Sequence, residues 1–149
     1  MKIKFKSALH RKNFTGYISP KNTDYYSNRN EFIAAVFLLS ADKLLWERSK
    51  SALTSYSVNF GLIDLSGIST EGYALYKAAK TVYNDDSATG SCKVAAQGAA
   101  RTLRNIGGDS DISLSELCDW TLLDDPTALT IFAGVMLRRN GIGMLNWRS

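Results

Sequence analysis

The chain has 149 residues, 45% hydrophobic and 21% charged, with a formal net charge of +4 and a pI near 9.1. That length suits a single domain with a core of its own, and the balance of apolar to charged residues excludes a disordered chain. The longest apolar run, Phe32 to Leu39, makes only two turns of helix, and the opening MKIKFKSALHRK lacks the long apolar core of a secretory signal; a cytoplasmic protein with no membrane partner is expected.

Taken in chain order, KIKFK alternates, with Ile3 and Phe5 on one side and lysines on the other, as an extended segment does. Ser7 is placed to cap a short helix through about Tyr17, closed by the SPKN turn. A second helix is expected from Asn28, with Glu31 as its capping-box partner and Phe32, Val36 and Leu39 as its apolar stripe, widened by Ile33 and Phe37. Ser40 is expected to cap a continuation, ADKLLWERSKSAL, that turns Leu44, Leu45 and Trp46 inward. The stretch TSYSVNFGLIDLSGIS reads as extended chain with room for one hairpin, because Val58, Phe60, Leu62 and Leu65 sit among glycines and serines.

The next segment, STEGYALYKAAKTVYNDD, predicts a helix capped by Ser69 or Thr70, with Leu75, Ala78, Ala79 and Val82 facing the core. NDDSATGS is a loop, and CKVAAQGAARTLRNIGG suits an alanine-rich helix ended by Gly107 and Gly108. In ISLSEL, Ser113 and Glu116 form a capping box, with Ile112 facing Leu117 as a hydrophobic staple. DDPTALTIFAGVMLRRNG predicts the last helix, with Asp125 as N-cap, Pro126 in the first turn, Gly141 past the end, and Arg138 and Arg139 at the negative pole. The expected fold is mostly α: one compact domain over residues 1–149, a bundle of about six helices with at most one small β-hairpin.

Catalytic chemistry has little to work with. His10 is the single histidine, and its neighbours Arg11 and Lys12 are cations that disfavour its charged form. The acidic pairs Asp85–Asp86, Asp109–Asp111 and Asp124–Asp125 each fall at a helix boundary, where aspartates cap or turn the chain. Cys92 and Cys118 are expected to be buried free thiols, and two thiols with one imidazole make a poor zinc site. Asn105–Glu116 echoes a calcium loop but lacks its glycine and second acid. Neither a metal nor a cofactor is expected.

Basic faces are the remaining signal. Residues 1–56 carry ten Lys or Arg against four acids, and residues 57–149 carry eight against ten. On a helical wheel Tyr73, Tyr76, Lys77, Lys80 and Tyr83 share one broad side, and Lys93, Gln97, Arg101 and Arg104 form a stripe on the following helix. Tyrosines beside cations either grip a protein or nucleic-acid partner or form a half-buried shoulder of the fold. The candidate contact residues are therefore Tyr73, Tyr76, Lys77, Lys80, Lys93, Arg101 and Arg104.

FKSALHRKNF, EFIAAVFLLSADKLLW, STEGYALYKAAKTVYN and LLDDPTALTIFAGVMLRR occur in this order. Together they resemble a family of short bacterial proteins known only as a domain of unknown function. Residues 85–112 look like an insertion relative to that pattern. The resemblance implies a compact helical bacterial domain with no assigned activity, of a size that travels on phages and mobile elements.

The expected function is a non-enzymatic protein that covers part of a protein or ribonucleoprotein partner, such as an inhibitor of a nucleic-acid-targeting defence system. Direct nucleic-acid binding is the alternative, and a small hydrolase or transferase using His10 and the aspartates is the third reading. Tyrosine-rich faces would equally close a homodimer.

Overall fold

The computed structural model describes residues 2–83 and 112–148. Its organising element is α2 (Asn30–Leu39), in which every side chain from Phe32 to Leu39 is withdrawn from solvent. A helix apolar on all sides has to be covered on all sides. Around it lie α1 (Ala8–Tyr17), α3 (Lys43–Ser49), α4 (Thr70–Tyr83), the short α5 (Leu114–Cys118) and α6 (Asp125–Asn140). Helix α2 packs mainly against α4 and α6, which also touch each other, and α3 packs on α1, α2 and α4. The domain is mostly α, as expected, with six α-helices and no strand among the described residues.

Local capping accounts for most helix ends. Ser7 accepts from the His10 N–H, and Ser69 accepts from the Gly72 N–H at 3.0 Å. Ser113 and Glu116 form the full capping box on α5. Three boundaries differ from expectation. Helix α2 starts at Asn30 without a side-chain cap, its entry fixed instead by burial of Phe32 and Ile33. Ser40 donates its hydroxyl to the Phe37 carbonyl at the end of α2, and Asp42 caps α3 by accepting from the Leu45 N–H. Asp124, not Asp125, caps α6, because its carboxylate is the one that reaches the Thr127 N–H at 2.8 Å.

The extended regions contribute two isolated bridges. Ile3 pairs in parallel with Leu145, which stitches the segment Lys2–Lys6 to the stretch after α6. Leu53 pairs with Val58 where a hairpin had room to form. The ladder goes no further because Thr54 and Ser57 bond to each other, Val58 donates to the Tyr83 hydroxyl, and a 3-10 turn follows at Phe60–Leu62. Leu44 is only half-buried, whereas Leu45 and Trp46 are in the core. Cys118 is exposed, contrary to the expectation of a buried thiol, because the short α5 lies at the surface.

Two glycines have structural reasons. A Cβ on Gly134 would sit 2.7 Å from three side-chain atoms of the fully buried Leu38, so its absence lets α6 approach α2 closely. Gly141 ends α6 at φ 90°, a conformation other residues rarely adopt.

Candidate functional site

The tyrosine–lysine side of α4 turns out to be largely structural. Tyr76 and Lys77 are each only 7% exposed. Phe60 packs edge-on against Tyr76 and Tyr83, and Tyr73 and Tyr76 stack with centroids 6.2 Å apart. The Lys77 ammonium lies 2.7 Å and 3.0 Å from the two Glu116 carboxylate oxygens and 5.7 Å from the Tyr73 ring centroid. Burial pushes the Glu116 carboxyl up, but hydrogen bonds and charge from Lys77, with further bonds from Ser113, hold it below the usual range. Tyr73 and Lys80 are half-buried on the same helix. Lys93, Arg101 and Arg104, the other expected contact residues, lie outside the described residues, as does most of the insertion-like segment 85–112.

His10 is fully buried. The Lys6 N–H donates to Nδ1 at 2.9 Å, which leaves the ring proton on Nε2 to donate to the Phe37 carbonyl at 2.7 Å. That carbonyl belongs to the last turn of α2, where His10 and the Ser40 hydroxyl together supply the donors that the helix itself lacks. Phe5 and Phe37 cover the ring with centroids at 5.2 and 4.5 Å. Burial lowers its pKa to about 4, the Phe37 bond opposing this and the Lys6 charge adding to it. The cation whose charge is felt most at the ring is therefore Lys6, which precedes it, rather than its neighbours Arg11 and Lys12. No group of three or more His, Cys, Asp or Glu residues is arranged to hold a metal ion among the described residues.

A different surface stands out. Helix α6 carries apolar side chains on its outward face as well as its inner one. Its buried positions include Thr127, Thr130 and Gly134 beside Ile131 and Leu137. Its outward positions include Leu129, Phe132 and Val135, which are 67%, 47% and 45% exposed. These side chains form one wall of a groove of about 730 Å³, open along one side. Ile3 and Phe5 contribute the facing wall, with Met136 and Ala133 between.

The direction of that second wall follows from its lysines. Lys2 donates from Nζ to the Gly143 carbonyl, beyond the C-terminal end of α6. Lys6 acts at the other end: Thr127 hydrogen bonding holds the Asp124 carboxyl below its usual range, and the Lys6 charge adds to this. The segment Lys2–Lys6 thus runs antiparallel to α6. Five extended residues span about 13 Å, and α6 from Pro126 to Met136 spans about 15 Å, so the two walls match in length. Among the described residues, every charged one that lines the groove is a lysine.

Sequence reasoning missed this groove because its walls come from opposite ends of the chain. A signal was nevertheless present. In TALTIFAGVMLRR the apolar residues cover more than one face, too many for a helix that buries one side only.

No protein-family model, curated protein or solved structure matches the chain. The resemblance to short bacterial proteins rests on the four quoted segments alone. Among the described residues no helix is long and apolar enough to cross a membrane.

Proposed function

We propose that this chain is a non-enzymatic protein that binds a macromolecular partner through the groove between α6 and Lys2–Lys6. The observation that carries the reading is the outward row Leu129, Phe132 and Val135, which leaves apolar surface in water although Ile131 and Leu137 already supply the helix's inner face beside two threonines and a glycine. Contiguous exposed apolar surface rimmed by charge marks sites of association. The single imidazole supports the same reading, since both its nitrogens are committed to backbone groups in the core. Occlusion of a larger nucleic-acid-targeting complex is one activity such a surface serves without turnover.

Affinity purification from expressing host cells tests this. Phe132→Asp should lose the partner, while a Tyr73→Ala, Lys80→Ala double variant on α4 should keep it, both retaining the helical circular-dichroism spectrum. Equal recovery of the same partner by folded Phe132→Asp and the unaltered chain would end the reading.

A further inference from the structure

We infer that the groove receives one amphipathic helix of a partner protein, laid along α6 with an acidic residue of its flank against Lys4. The inference rests on the groove reading above and names the chemistry of its occupant.

Shape comes first. Two antiparallel walls of about 13 and 15 Å match between two and three turns of helix, and apolar anchors at i, i+3, i+4 and i+7 would reach Leu129 and Phe132 on one wall and Met136 between the walls. The open side also discriminates. An acyl chain in an open trough would leave much of its surface in water, whereas sites for small apolar ligands bury most of theirs. An amphipathic helix brings a polar back that suits the open side.

Charge then selects the flank. Lys2 is tied to the Gly143 carbonyl, and the charge of half-buried Lys6 is felt by the Asp124 carboxyl and by His10. Lys4, midway between them, is exposed and forms no ion pair among the described residues. A carboxylate on the incoming helix would pair with it at the groove's edge. A second copy of this chain is disfavoured, because its own groove rim would bring Lys2, Lys4 and Lys6 against the same lysines.

The test is selection from a displayed library of helical peptides of about 16 residues, on the full chain and on Phe132→Asp in parallel. Enriched peptides should repeat apolar residues with helical period, carry Asp or Glu on one flank, and be lost on Phe132→Asp. Their affinity should fall about fivefold or more on Lys4→Glu, the range expected for reversing one rim charge. Peptides that depend on Phe132 but lack acids, or ignore Lys4→Glu, overturn the inference and leave the groove reading standing. Enrichment no greater than on Phe132→Asp overturns both. Phe132-dependent sedimentation with phosphatidylglycerol vesicles in place of peptide enrichment assigns the groove to lipid, and Phe132-dependent dimerisation assigns it to a second copy; either result overturns the inference.

Discussion

Glu116 holds Lys77 by both carboxylate oxygens while its Oε1 also accepts from the Ser113 N–H, so one side chain closes the start of α5 and fastens it to α4. The two ends of this tie are unequally wet: the Lys77 side chain is 9% exposed and that of Glu116 32%. Losing the acid strands a nearly buried ammonium, whereas losing the ammonium leaves a carboxylate that water and Ser113 can still reach. Glu116→Gln should therefore cost about 2–3 kcal/mol in urea unfolding and Lys77→Met about 1 kcal/mol. Equal losses would show that the pair behaves as a solvated surface contact. Because the Glu116 carboxyl is held below its ordinary value of 4.5, the stability it contributes is present above that pH and lost as pH falls through the lower folded value.

His10 predicts a second acid effect, in a different window. Its folded pKa of about 4 lies under the unfolded value of 6.5, so the unfolded chain takes up the proton first as pH falls. Stability should be flat above about 6.5, decline by about 3 kcal/mol down to pH 4, and change no further from this group below that. Protonation of Nδ1 would also break the bond from the Lys6 N–H. His10→Gln should be less stable at pH 7 yet lose that slope, read by urea unfolding at pH 7, 5.5 and 4.5. An unchanged slope would place the titration elsewhere.

Gly134→Ala sets helix propensity against packing. Alanine gains about 1 kcal/mol over glycine inside a helix. Here the added methyl would meet the Leu38 side chain at 2.7 Å, and Leu38 is fully buried with nowhere to go. Overpacking of this kind costs about 1–3 kcal/mol, so a net loss of about 1 kcal/mol or more is expected in thermal or urea unfolding. A stabilised variant would mean that α6 can move away from α2 at little cost.

The outward row of α6 should behave in the opposite manner. Leu129→Ser removes a side chain that is mostly in water and should alter unfolding free energy by about 0.5 kcal/mol or less, and Phe132→Ser, which loses a half-covered ring, by about 1–2 kcal/mol, while each abolishes partner capture. A loss of several kcal/mol would identify the row as part of the core.

What the sequence disclosed depended on how far apart the deciding groups lie. Caps act within three residues, and Ser7, Ser113 and Glu116 could be read directly from their neighbours. Adjacent candidates could not be separated: Asp124 and Asp125 both precede Pro126, and only backbone direction decides which reaches the Thr127 N–H. The α4 wheel correctly grouped Tyr76, Lys77 and Tyr83, but their roles depend on Phe60 and Glu116, which no local pattern brings to them. The groove depends on Ile3 and Phe5 reaching α6, a relation invisible to any window of a few turns. The expected stripe of Lys93, Arg101 and Arg104 lies outside the described residues.

The pairing of Ile3 with the chain after α6 carries a consequence for biosynthesis. Its two backbone bonds, Ile3 N–H to the Met144 carbonyl at 2.7 Å and Asn146 N–H to the Ile3 carbonyl at 2.8 Å, join residues translated far apart in time. At ribosomal rates the first of them waits on the order of ten seconds for its mate. The nascent polypeptide cannot seat the segment around Ile3 before residue 146 has been made, and any ligand that needs that segment can be recognised only after translation has passed it.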